Sequence, residues 1–423
     1  MTGGRAASEA SKAVARVYRE EWTRIVATLI RSTGDWDVAE EAAADAFERA
    51  ARRWVIEGVP RNPGAWLTTV ARHRALDVLR RRGVEVGKVR EWMAMDELTG
   101  GVPTDPAEIV AAEPEWDDRL RLVFTCAHPA LPVEARVALT LRTVGGLDTA
   151  EIAHAFFVPE ATMAQRLVRA KRKIRHAAIP YRVPSAAELP ERLGGVLAVL
   201  MLVHNEGYLA SSGDRLLRLD LQEEAIRLAR LVVELLPDAD EARALLALLL
   251  LQHARSAARV DAEGELVPLD EQDRSRWNAA EVGEGLALLD KPPPGPIGPY
   301  RLQAEIQAAH GRARTADETD WRAIVECYDA LEAVSPSPVV ELNRAVAHGL
   351  AGDTDLALAE LDRLEASGRL DGYHLLAAAQ ADLLRRNGRM LESAARYRDA
   401  IRLAPTGPEQ RFLERRLAEL PAG

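Results

Sequence analysis

Thr149-Ala-Glu-Ile-Ala-His-Ala-Phe-Phe-Val-Pro-Glu-Ala-Thr-Met-Ala-Gln-Arg-Leu-Val-Arg-Ala-Lys-Arg-Lys-Ile-Arg175 is the stretch on which the reading of this chain turns. Its spacing predicts a short helix from Thr149 to about Phe156, a tight turn at Phe157-Val158, and a second helix opening at Pro159, where a missing N–H costs nothing. Ile152, Ala153 and Phe156 give the first helix an apolar face, and Met163, Leu167, Ala170 and Ile174 give one to the second. Gln165, Arg166, Arg169, Arg172 and Lys173 fall on the opposite side of the second helix. The pattern is a helix-turn-helix whose second helix suits a DNA major groove. A basic helix face is also met as a plain solvated surface, so the rest of the chain has to decide.

The net charge of −10 argues against a nucleic-acid binder, but its distribution does not. Residues 1–180 carry 27 Lys and Arg against 25 Asp and Glu, whereas the remainder carries 28 against 40. The acidity belongs to the C-terminal half, and the front half is near-neutral with basic clusters. The two cysteines, Cys126 and Cys327, lie far apart, and no Cys/His spacing suits a metal, so neither a disulfide framework nor a metal site is expected. The longest apolar run, around Leu245 to Leu251, is too short to span a bilayer, and the expectation is a cytoplasmic protein with no membrane partner.

Alanine, leucine, arginine and glutamate dominate at spacings of three and four, which predicts an all-α fold. Residues 11–83 read as one small helical domain. Residues 84–112, with Gly100-Gly101-Val102-Pro103, read as a linker, and 113–178 as a second small domain ending in the helix-turn-helix. A larger helical domain runs over 185–423, interrupted by a non-helical insert from Arg259 to about Arg274 and by Pro292-Pro293-Pro294-Gly295-Pro296. It contains a weak repeat. Gly352, Ala357 and Leu361 correspond to Gly388, Ser393 and Tyr397, the latter continued by Ala400 and Pro405. Trp321, Tyr328, Leu331 and Pro336 fit the same frame, as do Ala225, Ala229 and Pro237. Small residues that let paired helices approach, closed by a proline, resemble the tetratricopeptide pattern. A curved acidic stack of this kind suits protein contact better than catalysis.

Two further blocks stand out in the front half. In Asp37 to Ala50, Glu41, Asp45 and Glu48 share one helix face while Phe47 and Ala50 turn to the core. From Asn62 to Arg82, a Pro/Asn/Gly loop leads into a helix carrying Trp66, Arg72, His73 and Arg74. Rings interleaved with guanidinium groups suit a strand of unstacked bases, although a core position is an ordinary fate for a tryptophan.

Taken in order, these blocks resemble a sigma factor of the extracytoplasmic-function type. The family's acidic helix appears here as Ala39, Glu40, Glu41, Asp45 and Phe47, with Ala44 where a glutamine is usual. Its Trp-Leu helix runs from Trp66 to Arg80, with His73 in place of an asparagine. The resemblance implies that Glu40, Glu41, Asp45 and Glu48 dock on core RNA polymerase. It implies that the loop Val59 to Ala65 captures a flipped base of the minus-ten promoter element, with Arg61, Asn62, Trp66, Arg72 and Arg74 on the strand. It further implies that the helix-turn-helix reads the minus-thirty-five element. There Gln165 and Arg169 are expected at base edges, Arg166 and Lys171 nearer the phosphates, and Thr162 and Lys173 beside them. The C-terminal half is similar to the tetratricopeptide-like extension of one sigma subgroup, sharing Asn205-Glu206-Gly207-Tyr208 and the segment Ser335 to Ala345.

The expected function is therefore promoter recognition and melting as a detachable polymerase subunit, with activity controlled by the C-terminal domain and a regulatory protein a possible partner there. No covalent chemistry is expected: the sequence shows no nucleophile–base pairing, no phosphate loop and no carboxylate dyad, and no cofactor is called for. The competing reading is a helix-turn-helix regulator whose repeat domain senses a ligand or a protein. It would need neither the acidic helix nor the Trp66 block.

Overall fold

The computed structural model describes residues 2–81, 118–156, 158–177, 179–208, 219–261, 265–405 and 407–420. The expected linker over 84–112 lies outside the described residues, as does Phe157 of the expected tight turn. The described chain is helical, and its only β pairing is an isolated antiparallel bridge between Val260 and Leu266. It divides into two compact units, residues 1–202 and 203–423. The segments read as two small domains thus share unit 1, and the division falls inside a helix rather than near residue 185.

Unit 1 is organised by a long helix, α1 (Thr2–Thr33). α2 (Trp36–Glu57) begins at Asp35, whose carboxylate accepts from the N–H groups of Asp37 and Val38, a standard N-cap. α3 (Pro63–Arg81) begins with Asn62 Oδ1 accepting from the Ala65 N–H at 3.1 Å. α4 (Asp118–Cys126) and α5 (Val133–Leu139) follow, and α5 runs directly into a π-helical turn, Thr140–Val144. The helix pair is α6 (Thr149–Ala155) and α7 (Glu160–His176). Asp148 and Glu151 close a reciprocal capping box on α6, each carboxylate accepting from the other's N–H at 2.7 Å. Unit 1 ends within α8 (Leu189–Tyr208), where the Arg192 guanidinium donates to the Phe124 carbonyl.

The support of the helix-turn-helix is a set of bonds from α1 to the end of the π-turn and the residues just after it. Trp22 Nε1 donates to the Thr143 carbonyl, the Thr23 hydroxyl to that of Val144, and the Tyr18 hydroxyl to that of Gly146, at 2.6–3.1 Å. The last carbonyls of a helix have no partner within it, and α1 satisfies them here. Burial pushes the Tyr18 hydroxyl up to about 12, so it stays a donor. Gly146 sits at φ +80, and a Cβ there would meet the Trp22 ring at 2.9 Å. Only glycine fits that close approach.

Unit 2 is a succession of helix hairpins: α9 (Leu219–Leu235), α10 (Asp240–His253), α11 (Ala279–Asp290), α12 (Pro299–Arg312), α13 (Trp321–Val334), α14 (Pro338–Leu350), α15 (Thr354–Ala366), α16 (His374–Arg386), α17 (Met390–Leu403) and α18 (Gly407–Ala418). From α12 onward each helix packs on the next. Gly352 and Gly388 follow α14 and α16 at positive φ, and Ala357, Leu361, Ser393, Tyr397 and Ala400 are buried between the helices they join. The insert after α10 is pinned by three C-terminal arginines: Arg386 to Asp270 at 2.5 Å, Arg411 to Glu265 at 2.6 Å, and Arg415 to the Leu266 carbonyl at 2.9 Å.

Candidate nucleic-acid and polymerase interface

α7 is seated by Met163, Leu167, Ala170 and Ile174, all buried. Its other side is open. Thr162, Gln165, Arg169 and Lys173 are exposed and Arg166 is half-buried. These five line one groove of about 700 Å³, whose far wall is Ala130 to Ala135 at the start of α5. Five donor-bearing side chains thus converge on a concave strip beside a helix N-terminus, an arrangement able to meet base edges and phosphates together.

Lys171 is not part of that strip. It is 9% exposed, and its ammonium donates to Asp37 Oδ1 at 2.8 Å and to Glu40 Oε2 at 3.1 Å. The expected phosphate contact is therefore corrected: it would require this buried ion pair to open. Glu40, placed by the resemblance on the polymerase surface, is 5% exposed. Besides Lys171 it accepts from Arg142 Nε at 3.2 Å and from the Thr143 hydroxyl at 2.9 Å. In this arrangement Glu40 ties α2 to the π-turn and to α7, and it presents nothing to a partner. A buried carboxylate that accepts three donors, two of them cationic, is satisfied where it stands.

The outer face of α2 keeps Glu41 and Glu48 exposed and Asp45 half-buried. Arg74 of α3 turns to them, bridging Glu41 at 3.0 Å and pairing with Asp45. A residue expected on the melted strand and two expected on polymerase thus neutralise one another. Glu48 pairs with Arg52 one helical turn on. Arg61 and Asn62 are exposed at the α2–α3 loop. Trp66 is half-buried edge-to-face against Trp54, centroids 5.7 Å apart, and Arg72 is also half-buried. The described residues contain no cluster of His, Cys, Asp or Glu able to hold a metal ion, and no helix long and apolar enough to cross a membrane.

An acidic helix, an Asn-capped arginine helix and a seated helix-turn-helix on one support are the features of an all-helical transcription protein. Residues 17–84 match the model described as Sigma-70 region 2, residues 121–174 match Sigma-70, region 4, and residues 192–292 match a family of unknown function, DUF6596. With both sigma-70 regions in order on one chain, this is a sigma factor that carries a C-terminal helical extension. An uncharacterized protein of Rhizobium meliloti (strain 1021) is 41% identical over 399 residues, 93% of this chain and 92% of that one. A protein of Mycobacterium tuberculosis (strain ATCC 25618 / H37Rv), named "Probable ECF RNA polymerase sigma factor SigI", is 28% identical over 174 residues, 41% of this chain and 58% of that one. No solved structure matches the chain. The sigma regions imply core RNA polymerase and promoter DNA as partners.

Proposed function

We propose that this sigma factor reads the minus-thirty-five element with α7, holds the melted minus-ten strand at the α2–α3 loop, and docks on core polymerase through the outer face of α2. Gln165 and Arg169 contact base edges. Thr162, Arg166 and Lys173 sit toward the phosphates. Arg61, Asn62, Trp66 and Arg72 serve the open strand, and Glu41, Asp45 and Glu48 serve the polymerase. The observation that carries the reading is the groove along α7, where the solvent side of the helix gathers its polar and basic residues while four apolar residues fix its orientation. The acidic helical extension, tetratricopeptide-like in its repeat, controls this activity through a protein contact. Its charge disfavours DNA and suits a protein surface.

Run-off transcription with core polymerase on a promoter library tests the assignment. The full chain is compared with one ending at Tyr208, which keeps α8 whole; ending it at Pro184 would strip that helix from unit 1. We expect promoter-specific transcripts from the full chain and their loss on truncation. Equal transcription from both removes the controlling role of the extension, and no transcript from the full chain at any promoter removes the proposed docking and reading.

A further inference from the structure

α7 turns two unlike flanks to solvent. One carries the polar residues of the groove. The other is apolar: Val168 is 54% exposed in mid-helix, with Ala161 and Ala164 exposed before it. Gln165 and Arg172, both exposed, run between the two flanks. The helix is seated without Val168, since Met163, Leu167, Ala170 and Ile174 are each 5% exposed or less. A β-branched residue also lowers helix propensity, so neither the core nor the helix accounts for it.

A lone exposed valine is ordinary on a protein surface; its neighbours set this one apart. Gln165 lies three residues before it and Arg172 four after, so the three side chains make one continuous row. Ala164, one turn back, is short enough to let a base edge approach the helix backbone. Glu160 in the first turn is the one acid of α7, and Arg169, Arg172, Lys173 and Arg175 surround the row with positive charge. That field draws a polyanion to the apolar flank and disfavours a basic protein surface. The row lies within the sigma region 4 segment. In a major groove an A·T pair offers the adenine N7 acceptor and N6 donor to an amide, and the thymine 5-methyl to an apolar side chain. Gln165 and Val168 present those two groups one turn apart.

We propose that Val168 is a specificity-determining residue of the upstream element: its methyl groups cover the 5-methyl of a thymine in the major groove, while Gln165 takes N6 and N7 of an adenine within one base step. The inference rests on the reading of α7 as the minus-thirty-five reader and adds the base that its apolar flank selects. A guanine or cytosine at that step offers Val168 no methyl, and the contact is lost.

The test uses the full chain bound to core polymerase. An upstream element is selected from a randomised duplex, and each of its thymines is then replaced by deoxyuridine, which removes the 5-methyl alone. We expect one thymine at which the replacement weakens binding about fourfold, which is about 0.8 kcal/mol, the worth of one buried methyl. Val168→Ala, at an exposed position, should lose affinity for the thymine duplex by a like factor and bind the thymine and uracil duplexes alike. Gln165→Ala should relax the preference for the adenine and keep the uracil effect. The proposal is overturned if uracil is harmless at every position, or if its penalty persists in Val168→Ala, which makes it a matter of duplex shape. It is also overturned if Val168→Ala loses capture of core polymerase in place of the thymine effect. In all three cases an element is still selected, so α7 keeps its reading. Failure to select any upstream element removes that reading and this proposal together.

Discussion

Lys171 and Glu40, 131 residues apart in the chain, are joined Nζ to Oε2 at 3.1 Å in a buried ion pair. The pair fastens the helix that carries the DNA-facing groove to the helix that carries the acidic surface. Removing one member of such a pair strands the other's charge, a loss of about 3 kcal/mol. Glu40→Gln should cost more than Lys171→Met, because Glu40 also holds Arg142 and Thr143. The double variant should cost less than the sum of the two. Urea unfolding of unit 1's transition measures all three. Additive losses would mean the two groups do not interact.

Base reading should be concentrated at Arg169. Arg169→Ala is expected to weaken upstream-element binding and to relax its base preference by about 1–3 kcal/mol. Lys173→Ala should weaken binding alike on every sequence and lower its salt dependence. Competition binding on a randomised duplex separates the two behaviours, and a base preference intact in Arg169→Ala would place the reading residue elsewhere.

Arg74 neutralises Glu41 and Asp45 in the free chain. Arg74→Ala should therefore leave the acidic face freer and strengthen polymerase capture. Glu41→Lys with Asp45→Lys should abolish capture while the helix content stays the same. Pull-down with core enzyme is the measurement, and capture by the folded double variant would remove the docking assignment.

Asn62 has a structural job to be separated from any job on DNA. Its Oδ1 caps α3, so Asn62→Ala should cost about 1 kcal/mol of stability. Asn62→Asp keeps the cap. If the amide also serves the open strand, both variants should lose permanganate-reactive thymines at the promoter while only Asn62→Ala loses stability. Normal opening by the stable Asp variant would leave Asn62 a cap alone.

Acid should destabilise unit 2 through its buried histidines. Burial, with nearby positive groups, lowers His204 and His310 to about 3, well below the ordinary value. The unfolded chain therefore binds more protons than the folded one between about pH 6.5 and 3. The contribution is complete above about 6.5 and is lost as pH falls toward 3. His310→Gln should flatten the pH dependence of unit 2 melting over that window, and an unchanged slope would show His310 protonating freely.

The seated face of α7 was legible in the sequence: Met163, Leu167, Ala170 and Ile174 keep helical spacing, and all are buried. The same spacing held a signal that charge obscured. Lys171 lies four residues after Leu167, at the edge of the buried stripe, and Glu40 falls in the series Trp36, Glu40, Ala43, Phe47 on the buried side of α2. A charged residue on an apolar stripe implies a buried partner, but the partner's name was out of reach. Arg142 and Thr143 meet Glu40 from within the π-turn Thr140–Val144, and nothing in those residue types marks a π-turn. The Arg74 bridges were hidden for a different reason, since they join two helices whose crossing no periodicity reveals. In unit 2 the positive-φ glycines and small buried residues could be read from the repeat.

Gly146 has no side chain to offer a base, yet its place under Trp22 and Tyr18 gives it an outsized weight in heredity. Any other residue there would push the helix-turn-helix scaffold off α1. A genetic screen for promoter defects would return Gly146 alongside true DNA contacts, and would return Tyr18 and Trp22 with it, more than a hundred positions upstream. Suppressors that shrink either ring would distinguish this mechanical class of mutants from those that lost a base.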